Sequence, residues 1–461
     1  MSAVRLHQVF PRPWNLAPLL SAARVCDELA PFKRSIAGSP PDPAELWPAV
    51  LEVARDFADH AGLPAGPWPP METLGNRPCF GGQQPYLDYY PAVLAKLDAL
   101  EACGGPAFYA FADHAPLGSD PWLARTELPC VGMAEGLLRF HVHRPVRRHL
   151  GKDLRFVPPP APAVLADLTE KLKGMIALTA KALLPGAFNR KAAFERLRRL
   201  TLDFEEARRR SRSAGEFNSL WSARLFARLG FRLPLLSLSA LLSREELLPE
   251  IAETLAVFVR RNALFAESME EVLRCADLRE LHWSLKAPGH VPLAVTDPKS
   301  GLRMAMRLER RGPDAWLVAT GADGDGGESF NLGLGDAEAI EELLRRLAGR
   351  WSLDVFVPLF LFRLGVSGIV NGRGSIRYSL MLAHVYARLF GEPHPPNLLA
   401  SCSPALTGPF AEAVRRTYGG LPPALEGGEP TLIPRLLAGD EAEIRAEIAA
   451  SWRDGRSEAR P

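Results

Sequence analysis

Residues 77–114 read RPCFGGQQPYLDYYPAVLAKLDALEACGGPAFYAFADH, and this stretch decides the fold. A short apolar piece runs into the turn Gly81-Gly82-Gln83-Gln84-Pro85, a helical pattern follows from Pro91 to Cys103, and an apolar strand covers Ala107 to Ala112. Strand, turn, helix and strand in that order make a βαβ unit, whose parallel strands present their carboxyl ends to ligand. Gly81 and Gly82 admit backbone angles closed to other residues, and Pro85 fixes φ and removes a donor, so the turn geometry is specified. Gln83 and Gln84 then offer donors and acceptors to whatever enters, with a solvated surface turn as the plain alternative.

The rest of the composition narrows the class. A chain of 461 residues exceeds one ordinary core, so about two or three domains, or one core with large insertions, are expected. Hydrophobic content of 47% with 23% charged residues is that of a globular chain. The net charge of +2, with basic residues interspersed among acidic ones, gives no field of the kind that holds phosphate backbones, so no nucleic-acid partner is expected. The longest apolar run, Val355 to Val370, contains Pro358, Arg363 and Gly365 and is short for a bilayer. It reads as buried helix followed by buried strand, with no membrane partner. Cys26, Cys79, Cys103, Cys130, Cys275 and Cys402 are scattered without CxxC spacing, which argues against a metal site and against a disulfide framework. The apolar patch Leu16 to Ala23 is broken by Pro18 and Ser21, so no signal peptide is read and a cytoplasmic location is expected.

Along the chain, residues 1–150 read as a helical preamble and the first half of an α/β core, with a helix over Ala44 to Ala61. A proline cluster at Pro158 to Pro162 introduces a helical insertion over 151–230. Residues 231–461 hold the second half of the core: a strand at Phe231 to Leu238, a helix at Glu245 to Leu264, a small antiparallel excursion over about 290–335, and C-terminal helices. Gly321 to Gly327 starts like a calcium loop but places Leu334 where the bidentate Glu belongs, so it reads as a hairpin tip.

Two further pieces carry chemistry. After the strand Val366 to Val370 comes Asn371-Gly372-Arg373-Gly374-Ser375, and Ile376 to Phe390 then reads as an amphipathic helix. A strand, glycine turn and helix favour an anion: Gly372 and Gly374 permit close backbone approach, Ser375 can cap, and Arg373 or Arg377 can add a bidentate partner. A tight βα turn is the plain alternative, since neither the full dinucleotide fingerprint nor GxxxxGK[ST] is present. Asp113-His114 closes the strand Ala107 to Ala112. There His114 suits a general acid or base, with Asp113 orienting it or binding an amine; the plain alternative has Asp113 capping a turn and His114 satisfied by backbone.

Taken together, Gly82-Gln83-Gln84 followed by Pro91, Phe108-Tyr109 through Asp113-His114, and Gly372-Arg373-Gly374-Ser375-Ile376-Arg377-Tyr378 resemble the cysteine-adding enzyme family of bacillithiol biosynthesis. That family has a Gly-Gln-Gln turn, a Glu-Asp-His-Asp stretch ending a strand, and a Gly-Pro-Gly-Glu-Ile-x-Tyr turn opening a late helix. The resemblance runs from about Gly75 to Asn397. It implies a Rossmann-like core similar to class I aminoacyl-tRNA synthetases and nucleotidyltransferases, and formation of an amide between cysteine and glucosaminyl-malate. It also implies that Gln83, Gln84, Asp113, His114, Gly372, Gly374 and Tyr378 line one cleft.

The departures are as informative. Ala112 and Ala115 stand where acids flank Asp113-His114, and Ser375 replaces the glutamate of the glycine turn. Leu97 falls at the place of a helix lysine, with Lys96 beside it. Leu399-Ala400-Ser401-Cys402-Ser403 lacks the arginine of a family Pro-Arg-Ala-Ser segment, and after Pro423 short stretches such as Glu441 to Ala450 replace a long coiled coil. Losing three carboxylates together points to a repurposed cleft. The expected function is a divergent ligase joining cysteine or another amino acid to a small polar, sugar-like acceptor, with ATP or ADP as a candidate cofactor and homo-oligomerisation open. The alternatives are a non-catalytic binding or scaffold member of the same fold, and a generic nucleotide-binding enzyme using Gly372-Arg373-Gly374.

Overall fold

The computed structural model describes residues 46–66, 68, 77–103, 105–143, 149–273, 289–320, 326–372, 376–392, 397–400, 406–426 and 431–453. In chain order the elements begin with α1 (Leu46–Ala61), β1 (Cys79–Gln83), α2 (Pro91–Ala102), β2 (Ala107–Phe111), β3 (Arg125–Pro129) and β4 (Leu137–His141). Next come α3 (Pro162–Ala182), α4 (Arg190–Arg210), α5 (Ala214–Arg228), β5 (Leu235–Ser237), α6 (Leu238–Leu242), α7 (Leu248–Arg260) and α8 (Asn262–Leu273). After these are β6 (His290–Thr296), β7 (Arg303–Arg311), β8 (Asp314–Thr320), β9 (Gly326–Asn331), α9 (Ala337–Arg346), β10 (Trp351–Leu353), α10 (Val357–Arg363) and β11 (Gly368–Asn371). The chain closes with α11 (Ile376–Phe390), β12 (Asn397–Leu399), α12 (Pro409–Tyr418), α13 (Pro423–Glu426), α14 (Leu432–Ala438) and α15 (Glu441–Arg453).

Among the described residues, five strands form one sheet in the order β12-β11-β1-β2-β5, and every pairing in it is parallel. Its first strand in sequence lies at the centre. The next two build outward on one side, and the last two on the other. The direction of winding therefore reverses between β1 and β11, where Cys79 sits opposite Gly368 and Gly81 opposite Val370.

Successive side chains of these strands enter two cores. Phe80, Phe108, Ala110, Leu236 and Ile369 join one, while Cys79, Tyr109, Phe111, Leu235 and Val370 join the other. This is the period-two alternation of strands covered on both faces. Helices α2 to α5, α14 and α15 cover one face; α1, α7, α10 and α11 cover the other, with a second sheet beyond them.

Tyr90 is extended before Pro91, which opens α2 at its first turn. The helix is buried on nearly all sides, including Lys96 and Asp98. Gly81 lets it close on the sheet, since a Cβ there would lie 2.6 Å from Leu100 Cδ1.

The antiparallel excursion is larger than the sequence suggested. Strands β10-β6-β7-β8-β9 make a five-stranded sheet, and β10 joins it from beyond α9. The expected helix over 245–264 is divided: a 3-10 turn covers Glu245–Leu247, α7 ends at Arg260 and α8 begins at Asn262. Most of the loop Gly321 to Gly327 lies outside the described residues. No described helix is long and apolar enough to cross a membrane.

Asp88, in the segment between β1 and α2, ties this region to α14. Its Oδ1 accepts from the N–H groups of Tyr89 at 2.8 Å and Ile433 at 2.9 Å. Burial nonetheless pushes its carboxyl from 3.8 up to about 7. The fold favours the neutral acid, so this group's stabilisation is complete below pH 3.8 and is lost as pH rises through about 7. Asp88→Asn is expected to raise stability by roughly 2 kcal/mol at pH 8 in urea melts, with the gain shrinking toward pH 4.

Candidate active site at the winding reversal

Parallel sheets of this kind hold ligands outside the carboxyl ends of their strands, at the point where the winding reverses. Here that point is the end of β1, carrying Gln83, beside the end of β11, carrying Asn371-Gly372. Helices α2 and α11 flank it from opposite faces of the sheet.

Lys96 reaches this point from inside α2. Its ammonium donates to Gln83 Oε1 at 3.0 Å and to Gly82 O at 3.3 Å, and its Cε lies 3.5 Å from where a Cβ of Gly372 would sit. The side chain is 2% exposed. No ion pair engages it among the described residues, and burial alone lowers its pKa from 10.5 to about 8. An ammonium has three donors, and two are engaged.

The expected turn at Gly81-Gly82-Gln83 is instead the end of strand β1, without positive φ at either glycine, and its amides are fixed rather than loose. Gln83 accepts from Lys96 and donates through Nε2 to Gln84 Oε1 at 2.9 Å and to the Tyr86 hydroxyl at 2.8 Å. Tyr86 in turn donates to Asp120 Oδ2 at 2.7 Å. Burial first, and then Asp120, raise the Tyr86 pKa, so the phenol keeps the proton it donates. Gln83 and Gln84 are half-buried, a solvated turn in neither case.

Asp113 and His114 occupy a different polar cluster at the same sheet edge. Asp113 accepts from Ser237 Oγ at 2.8 Å and from the N–H of Ser239 at 3.2 Å. His114 Nδ1 lies 3.4 Å from Ser239 Oγ, and the ring also bonds the backbone of Leu353 in β10. Arg155 chelates Asp153 and reaches Trp351 O at 3.3 Å, while Arg303 donates to Ser352 Oγ at 3.0 Å and to Leu353 O at 3.2 Å. Thr296 Oγ1 closes on Asp153 at 3.0 Å. These groups stitch the carboxyl edge of β2 and β5 to the antiparallel sheet. Burial, followed by Arg303 and Arg155, holds the His114 pKa well below its usual value.

The recorded partners of Gln83 and those of His114 do not overlap among the described residues. Tyr378, on α11, is half-buried against the second core, and burial raises its pKa. Arg373, Gly374 and Ser375 lie outside the described residues, as does the Arg377 side chain. Lys96, which the sequence shows only as the neighbour of Leu97 where the family lysine would fall, was not among the candidate site residues; its signal was a lysine in the mostly apolar run Val93 to Leu100, which it shares with Asp98. No described cluster of three or more His, Cys, Asp or Glu side chains is arranged to hold a metal ion.

No protein-family model matches this sequence, and no curated protein is significantly similar to it.

The lowered Lys96 pKa has a direct consequence for stability. The fold favours the neutral amine, so the unfolded chain binds more protons between about pH 8 and 10.5, and stability rises with pH through that window. Lys96→Met is expected to be more stable than wild type by roughly 2 kcal/mol at pH 7, the difference narrowing toward pH 10 in thermal melts.

Proposed function

We propose that this chain is a divergent relative of the cysteine-adding enzymes with a Rossmann-like core, and that it binds a small polar anion at the winding reversal between β1 and β11. The observation that carries this reading is Lys96: a buried ammonium with no acid beside it among the described residues, at the strand ends where ligands of such sheets bind. A carboxylate or phosphate there compensates a charge that the fold leaves uncompensated. The half-buried Gln83-Gln84 pair supplies uncharged polar contacts, as a sugar-like or amino-acid ligand requires.

A ligase reading adds amide formation between an amino acid and a polar acceptor. It draws support from the same lysine, since an amine with a pKa of about 8 exchanges protons near neutral pH and suits general acid–base work. In this reading Lys96, rather than His114, moves the proton. His114 is assigned to the seam between the sheets because its ring is already committed to Ser239 and Leu353.

Calorimetric titration with L-cysteine, L-malate, glucosaminyl-malate and ATP tests the proposal. At least one should bind saturably, with affinity reduced about tenfold or more in Lys96→Met and unchanged in His114→Gln. Absence of binding by all four to folded protein, or equal affinity in Lys96→Met, refutes it. Mass spectrometry for an amide product separates the ligase reading from binding alone.

A further inference from the structure

A cavity of about 560 Å³ opens at the other end of the parallel sheet. Ala107, the first residue of β2, and Pro234, just before β5, both line it, which places it at the amino ends of the strands, away from Gln83 and Lys96.

One wall is aromatic and held in place. The Trp68 indole donates to Arg232 O at 2.7 Å. It folds back over Gly66, where a Cβ would lie 2.4 Å from Trp68 Nε1, so any larger residue displaces the ring. Trp47 and Leu100 supply buried apolar surface beside it.

The charges around the opening are unevenly satisfied. Glu101 is spent internally: Oε1 accepts from the Arg232 N–H and Oε2 pairs with Arg445. Arg445 is also committed, donating to Gly230 O at 2.6 Å, lying over the Phe231 ring, and standing 3.9 Å from the buried Asp98. The Arg232 guanidinium is exposed and has no acceptor among the described residues. A largely apolar pocket lined by an oriented ring and, among the described residues, one unpaired arginine has a defined complement.

We propose that this cavity binds a flat aromatic molecule bearing a negative charge, its ring against the Trp68 indole and its anion on Arg232. Aromatic stacking is sequence- and substituent-tolerant, whereas a guanidinium pairs with carboxylate or phosphate alike. An aromatic carboxylate and a nucleoside monophosphate share this chemistry, and the test separates them. The site is independent of the one at the winding reversal.

Calorimetric titration of the full chain with naphthoate and with adenosine monophosphate is the experiment. One or both should bind saturably, with affinity lowered about tenfold or more in Arg232→Gln, lost in Trp68→Ala, retained in Trp68→Phe and unchanged in Lys96→Met. Binding of naphthoate alone assigns a carboxylate ligand, and of adenosine monophosphate alone a nucleotide. If Trp68→Ala proves unfolded by circular dichroism, Gly66→Ala, which displaces the same indole, replaces it. The proposal is overturned if neither probe binds, if affinity survives Trp68→Ala (or Gly66→Ala in its place) or loss of the Arg232 charge, or if it falls in Lys96→Met.

Discussion

Covering both faces of a parallel sheet with apolar side chains leaves polar chemistry to the strand ends. In this protein Phe108 and Ala110 enter one core while Tyr109 and Phe111 enter the other, so β2 has no wet face. The same burial encloses α2, which lies over the centre of the sheet. The lysine in that helix is almost wholly covered, and its ammonium is directed to the carbonyl and amide oxygens where β1 ends. The position of the candidate site thus follows from how the sheet is covered.

The carboxyl edge carries two polar clusters with opposite electrostatic character. Around His114, each buried arginine has its acceptors: Arg155 chelates Asp153, and Arg303 reaches Ser352 and Leu353. A buried ion pair so satisfied is weak evidence for net stability, but removing one partner is strongly destabilising. Such a cluster resists change and suits a joint between two sheets. Lys96 has carbonyl-type acceptors but, among the described residues, no acid, so the desolvation of its charge is relieved by hydrogen bonds alone.

The parts legible in the sequence are those governed by local pattern. The helix Ile376–Phe390 and the βαβ order of residues 79–111 were read from apolar spacing and glycine turns, with boundaries shifted by a residue or so. Spacing is silent on long-range pairing. That β11 lies beside β1, or that β10 joins β6 from beyond α9, depends on contacts between residues far apart in sequence. The same limit applies to His114. Its place at a strand end was readable, but its neighbours Leu353 and Arg303 come from a distant segment, and burial together with the nearby arginine holds its pKa low. Lys96 was visible as a charge inside an apolar run, yet its significance depends on Gly372, nearly three hundred residues away in the chain.

The Gly-Gln-Gln segment that ends β1 acquires a direction from its hydrogen bonds. Asp120 accepts from Tyr86, and Tyr86 accepts from Gln83 Nε2, so the Gln83 amide must present its oxygen to Lys96. A glutamine held in this way consumes one ammonium proton, and Gly82 O takes a second at longer range. The third has no protein acceptor among the described residues. Because the chain ends on a carboxylate at Asp120, each bond in it is aligned with the next, and the lysine is held by the fold itself.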